Sequence, residues 1–385
     1  MQHNRLMQTF LDLVQIDSSS KNEAKVAKHC EAWLCEHGFA VTYDTSFEQT
    51  GSEVGNLIAT LPANNSSEAL VLSAHMDCVP PCSGVVPVIE NRAEGMAICS
   101  DGSTVLGADD KAGIAAIFEA IENILAEKAA HPALIVLLTT CEELGCSGAY
   151  HLDKELLASR MEEVGANTLR DVPCVVFDSD GKPGTIVLGA PFRYTFEADF
   201  VGRSAHAGVE PEAGVSAIGI AAKALASFEW GRLDEHTTAN VGTIQGGEQI
   251  NIVAALCKVK GECRSLHAAR VEEVKQAITD TFSSAANEAQ GYVEMQWHLD
   301  CPGMFYSEKD ALVQRLASAA TELNLPVCYH CSGGASDANI FTIKGLKPVT
   351  VGIGMTNFHS LDEYILVSDL EDSARYAEAI IKSFV

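Results

Sequence analysis

Several things are scarce in this chain of 385 residues. No run approaches the roughly 18–20 uninterrupted apolar residues that a membrane-spanning helix needs. Positive charge is short as well: 26 Lys and Arg stand against 52 Asp and Glu, a formal charge of −26. Such a chain repels nucleic acid and anionic membranes, and no basic patch offsets the excess. Met1 to Val14 carry His3 and Arg5 but no apolar core followed by small residues. They read as a helix rather than a secretory leader, and a cytoplasmic location is expected. No Gly-x-Gly-x-x-Gly joins a strand to a helix, which argues against dinucleotide binding. The 13 cysteines are odd in number and scattered through apolar segments, so reduced thiols are expected rather than a disulfide framework. Cys328-x-x-Cys331 lacks the second pair that a structural zinc site requires. Internal repeats and low-complexity tracts are also missing.

What is there is alternation. The length suggests two domains at roughly 100–200 residues each. A first helix should end near Gln15, and a second should start after Ser20, where Ser20 and Glu23 have capping-box spacing. Short apolar runs then alternate with helical periodicity: Ala69 to Ala74, Ala133 to Thr139, Cys174 to Phe177 and Val349 to Ile353. Ile114, Ile117, Phe118, Ile121, Ile124 and Leu125 recur at steps of three and four, which marks a helix between the first two runs. The expected fold class is α/β, a mainly parallel sheet flanked by helices. From Phe192 the order changes to strand (to Val201), helix (Pro211 to Glu229), strand (Ala239 to Ile244), strand (Ile252 to Cys263), helix (His267 to Ala289) and strand (Tyr292 to His298). That is the β-α-β-β-α-β order of a ferredoxin-like α+β unit. Residues 192–301 are therefore read as an insertion. It divides a larger domain into 1–191 and 302–385.

Chemistry-bearing residues follow the apolar runs. His75-Met76-Asp77 follows the first, Glu142-Glu143 the second and Asp178-Ser179-Asp180 the third, while His359 comes shortly after the fourth. Asp109 opens the long helix after the turn Leu106-Gly107-Ala108. Ligands of open α/β sheets bind beyond the carboxyl ends of the strands, so these groups should meet at one edge. Singly, each has a plain explanation as a loop residue, a helix cap or an Asx turn. Together they supply the imidazoles and carboxylates that bind two borderline divalent metals with one carboxylate shared. Asp77 lies two residues from His75, on the same side of extended chain, and can fix its tautomer. Glu142 and Glu143 cannot point the same way in extended chain, which frees one to bind metal and the other to take a proton from water.

These segments resemble the M20 family of metallopeptidases, most closely its peptidase T-like (tripeptidase) branch. The resemblance rests on Ser73-Ala74-His75-Met76-Asp77, on Leu106 to Gly113, on Glu142-Glu143-Leu144-Gly145, on Asp178-Ser179-Asp180-Gly181 and on Asn357-Phe358-His359-Ser360. They occur in family order and cover essentially the whole chain. The resemblance implies that Asp109 bridges two metals. His75 and Asp178 would complete one and Glu143 and His359 the other, with Asp180 left open as a substitute for Asp178. It implies Glu142 as general base, Asp77 behind His75, and a cis peptide between Asp109 and Asp110. The inserted domain resembles the family's lid. There His206, in Gly202-Arg203-Ser204-Ala205-His206-Ala207-Gly208, would help polarise the substrate carbonyl, reaching the partner's site in a homodimer. Asn251, Arg264, Gly333 and Gly334 look like substrate-binding positions, and Arg264 reads equally well as a surface ion pair. Zinc is the expected metal, with cobalt and manganese as competitors. The implied activity is amide hydrolysis in short peptides, probed first as an aminopeptidase. Carboxypeptidase, dipeptidase and N-acyl-amino-acid deacylase activities remain open, as does, more distantly, a non-catalytic binding protein of the same fold.

Overall fold

The computed structural model describes residues 5–166 and 170–385. The chain divides into two compact units. The first comprises Met1–Leu188, Tyr306–Ser332 and Ser336–Val385, and the second Gly189–Phe305 with Gly333–Ala335.

In the first unit a sheet runs in the order Ala40–Tyr43, Leu57–Leu61, Ala133–Thr139, Ala69–His75, Val172–Ser179, Leu346–Gly352, Thr185–Ala190. The four central strands are mutually parallel. Their neighbours toward either edge pair antiparallel. Central strands buried on both faces read as continuous apolar runs. Ala133–Thr139 is buried at every position and Ala69–His75 at all but the first. Parallel pairing sets His75 opposite Thr139, so the chain leaves both strands at the same edge.

The helix Ala108–Ala126 packs on the strand Ala69–His75 and on the helix Val367–Lys382. Its Ile114, Ile117, Phe118, Ile121 and Ile124 are all buried. Gly113 lets it approach the neighbouring strand, since a Cβ there would lie 2.4 Å from the Phe177 carbonyl oxygen. The first two helices are Arg5–Val14 and Ala24–Glu36. The expected capping box does not form: the position before Ala24 makes no side-chain cap. Ser20 Oγ instead donates to Asp77 Oδ2 at 2.7 Å, and Glu23 accepts from Ser52 Oγ and the Cys141 amide. A more demanding partner, a buried loop, has taken both residues away from the helix end.

The second unit is an antiparallel sheet in the order Gly231–Asp234, Thr237–Gly246, Leu256–Ser265, Phe192–Val201, Tyr292–Cys301. Helices Ala217–Ala226 and Ala268–Glu288 pack on it. Leaving out the short first strand, this is the ferredoxin-like arrangement. Its core is separate, built on Phe196, Phe200, Val259, Ile278 and Phe282. None of the 13 cysteines is in a disulfide, and Cys328–Cys331 is a short strand outside every metal-competent cluster among the described residues. No described helix is long and apolar enough to cross a membrane.

Leu72 is fully buried in the centre of the first sheet. Leu72→Ala should destabilise this unit by about 2–5 kcal/mol, the usual range for such a truncation in a core that cannot collapse. The check is the urea midpoint of its unfolding transition, and an unchanged midpoint contradicts the packing described.

Candidate active site

Five segments of the first unit deliver polar groups to the carboxyl edge of its sheet. His75 ends one strand and Asp178 is next to last in another. Asp109 sits at a kink in the first turn of Ala108–Ala126, where the backbone leaves helical geometry. Its peptide bond to Asp110 is cis. Glu142 and Glu143 open a 3-10 turn, Glu142–Leu144, rather than continuing the strand. Their divergence thus comes from a turn, not from extended alternation. His359 lies in a loop with φ 61°.

Asp109 stands between two imidazoles. Its Oδ1 is 2.9 Å from His75 Nε2 and its Oδ2 3.1 Å from His359 Nε2. Glu143 Oε1 is 2.8 Å from the same His359 nitrogen, and Asp178 Oδ1 is 3.8 Å from His75 Nε2. The pattern is two imidazole–carboxylate pairs joined by one shared carboxylate. Asp178 is part of it, whereas Asp180 is exposed and bonded to Ser179.

The surrounding groups hold this geometry. His75 Nδ1 is 3.1 Å from the Asp77 carbonyl oxygen and 3.4 Å from Asp77 Oδ1. Those contacts aim Nε2 at Asp109. Asp77 also accepts from the amides of Glu142 and Glu143 at 2.9 and 3.2 Å, so one buried carboxylate ties His75 to the glutamate turn. Three groups escaped the sequence reading. Glu363 accepts from the amides of Gly107 and Asp109 at 2.8 and 3.1 Å and fixes the turn before Asp109. Asp110 accepts from the amides of His75 and Gly113 at 3.1 and 3.2 Å. Asp337 accepts from the Thr139 hydroxyl. Glu363 follows His359 by only four residues, but nothing in the local pattern points it back 254 positions to Asp109.

The electrostatics are those of a crowded acid cluster. Burial, then the charge of Asp178, pushes Glu142 well above the ordinary carboxylate range. Burial, opposed by His75 and reinforced by Asp110, does the same to Asp178. Burial opposes a charge on His75, yet its bonds to Asp109 and Asp77 raise it well above the imidazole value. Bonds to Asp109 and Glu143 raise His359 to about 10. Glu142 and Asp178 are driven toward neutrality and both imidazoles toward cations, while Asp109 is held below the ordinary carboxylate range, against burial, by its bonds from His359 and His75, so the cluster is short of positive charge. A divalent ion supplies that charge and converts the imidazoles to ligands. Donor atoms of His75, Asp109 and Glu143 lie within 4.8 Å of one another, as do those of His75, Asp110 and Asp178. The donor set therefore fits divalent metal.

His206, Asn251, Arg264, Gly333 and Gly334 belong to the second unit. His206 bridges to Ile252, and the Ala207 amide donates to the Asn251 carbonyl at 3.0 Å, so these two segments lie side by side. Gly208 donates its amide to His206 Nδ1 at 3.2 Å. Arg264 is forked onto Glu262 at 2.9 and 3.1 Å and donates to the Gly333 carbonyl at 3.0 Å.

Residues 71–383 match the model of Peptidase family M20/M25/M40. The crystal structure of the aminopeptidase PepT from Bacillus cereus superposes with a TM-score of 0.90 at 37% identity, covering 99% of this chain and 98% of that one. A tripeptidase from Staphylococcus aureus does so at 0.88 and 34%, covering 98% and 97%. The uncharacterized protein YqjE of Bacillus subtilis is 37% identical over 98% of both chains.

Without metal, the raised His359 value gives a pH dependence of defined sign. A group whose folded value lies above its unfolded one stabilises fully below the unfolded value, near 6.5, and loses that contribution as pH rises through about 10. After chelation, the melting temperature should fall over that window, and His359→Gln should flatten the fall. An identical profile for the variant removes the His359 contacts as its cause.

Proposed function

Because the chain belongs to Peptidase family M20/M25/M40 and is a hydrolase, we propose that it is a two-metal aminopeptidase acting on short peptides, tripeptides foremost. The observation that carries this is the Asp109 carboxylate, with one oxygen facing His75 and the other His359. In this reading Asp109 would serve both ions, His75 and Asp178 would hold one, and Glu143 and His359 would hold the other. Zinc suits the set, with cobalt and manganese as substitutes. The aminopeptidase and tripeptidase activities named for the Bacillus cereus and Staphylococcus aureus relatives support the substrate class.

When bound, the ions lower the pKa of water and polarise the scissile carbonyl. The protein's own groups do the rest. Glu142 is half-buried and raised in pKa, so it accepts a proton from the attacking water readily and passes it on to the leaving amine. Asp77 keeps His75 in one tautomer and, through the two backbone amides, keeps Glu142 beside it. His206 supplies a donor for the carbonyl oxygen as charge develops there. Asn251, Arg264, Gly333 and Gly334 hold the rest of the peptide. Glu262 takes the Nε and Nη2 donors of Arg264 and fixes the plane of its guanidinium, which leaves the remaining Nη hydrogens for the substrate carboxylate.

Glu142→Ala should lower kcat by roughly 10²–10⁴-fold, the usual range for general base catalysis, with metal content by elemental analysis unchanged. Turnover within tenfold of the parent removes Glu142 as the base. A panel of N-blocked tripeptides, C-amidated tripeptides and N-acyl amino acids decides the substrate end. Free-amine tripeptides should be cleaved and N-blocked ones refused; the reverse preference makes the enzyme a deacylase or carboxypeptidase.

A further inference from the structure

Next to the paired site, Glu142, Cys146 and Asp337 bring one sulfur and two carboxylates together, with one donor atom from each within 4.8 Å of the others. Cys146 Sγ–H donates to Glu142 Oε1 at 3.3 Å. The backbone puts it there: the Cys146 amide bonds back to the Glu142 carbonyl at 2.6 Å, and Cys146 sits at φ 57°, in left-handed space where a side chain is uncommon. Asp337 is buried. One of its oxygens, Oδ2, accepts from the Thr139 hydroxyl, while Oδ1 is buried with no hydrogen-bond partner. The residue opens the helix Asp337–Lys344, which a Ser336–Asn339 capping box fixes at that end. A buried carboxylate oxygen left without a donor, beside a thiol and a second carboxylate, is a place where a cation replaces the missing hydrogen-bond donor.

We propose that Glu142, Cys146 and Asp337 form a third, inhibitory site for a thiophilic divalent cation such as zinc or cadmium. Thiolate sulfur selects such ions over magnesium, calcium or manganese. The donors differ in kind from those of the paired site, which offers only imidazole nitrogen and carboxylate oxygen. On binding, the Cys146 S–H proton, together with any proton carried by Glu142 or Asp337, is released to solvent, and the sulfur and both carboxylates bond the ion. The inhibitory consequence rests on the role of Glu142 proposed above: a Glu142 carboxylate engaged by a cation no longer accepts a proton from water. Zinc then serves the enzyme at low concentration and shuts it down in excess.

The test uses the full protein preloaded with two equivalents of manganese. Cadmium titration should produce a thiolate-to-cadmium charge-transfer absorption in the ultraviolet. Cys146→Ser should remove that component, and Asp337→Asn should shift it to cadmium concentrations at least about tenfold higher, the lower limit seen for losing even an outer partner of a metal ligand. Circular dichroism establishes that both variants are folded. In parallel, the zinc concentration that halves activity, referred to each variant's own uninhibited rate, should rise by a similar factor. An absorption of equal amplitude in the parent and in Cys146→Ser overturns the site. Loss of the absorption in both variants with zinc inhibition unchanged overturns the inhibitory role while leaving the site, and points to an error in the Glu142 assignment.

Discussion

One carboxylate sets the terms for the site. Asp109 presents an oxygen to each of two imidazoles, and those imidazoles arrive from segments 284 positions apart, at His75 and His359. Neither contact tolerates much displacement, so Asp109 has to be held from its backbone outward. Glu363 takes its amide and that of Gly107, and the fully buried Asp110 takes the amides of His75 and Gly113. The three acidic residues thus divide the work. Asp109 faces the two imidazoles, while Glu363 and Asp110 spend their oxygens on the chain.

Holding this many acids in a buried space has an electrostatic cost that the fold meets with directed donors. Asp77 is the clearest case, fully buried and supplied by His75, Ser20 and two backbone amides. Burial works against its charge, and the bonds from His75 and its other donors hold it below the ordinary carboxylate value all the same. Glu142 lacks such a set and is pushed the other way. Two carboxylates 65 positions apart in sequence, linked by the hydrogen bond that the Glu142 backbone amide donates to Asp77, are therefore shifted in opposite directions. That difference separates a fixed anchor from a group able to exchange protons. Backbone strain accompanies it: Cys141 and Cys146, on either side of the glutamate turn, both occupy left-handed space.

The sequence made some of this legible. The parallel strands announced themselves as uninterrupted apolar runs, and the residues directly after them are the ones that converge. His75, Asp109, Glu143, Asp178 and His359 meet as their positions at strand ends and turns require. The second unit reads in the sequence as a change of element order, from strand–helix alternation to β-α-β-β-α-β. Ser20 and Glu23 misled, since spacing alone cannot tell a helix cap from a loop that reaches across to Asp77 and Cys141. Glu363 and Asp337 carried no local signal at all. Their partners lie far away in the chain, and only the packing of the sheet brings them near.

The strand Leu346–Gly352 lies between Val172–Ser179 and Thr185–Ala190, which precede it by more than 150 residues. During synthesis, a chain that has grown only to residue 340 has no strand to fill that gap, no His359 to face Asp109 and no Glu363 to fix its turn. Sheet completion and site completion are therefore the same late event. A hydrolase built this way is silent as a nascent chain, when unfolded polypeptide, including its own, is close at hand.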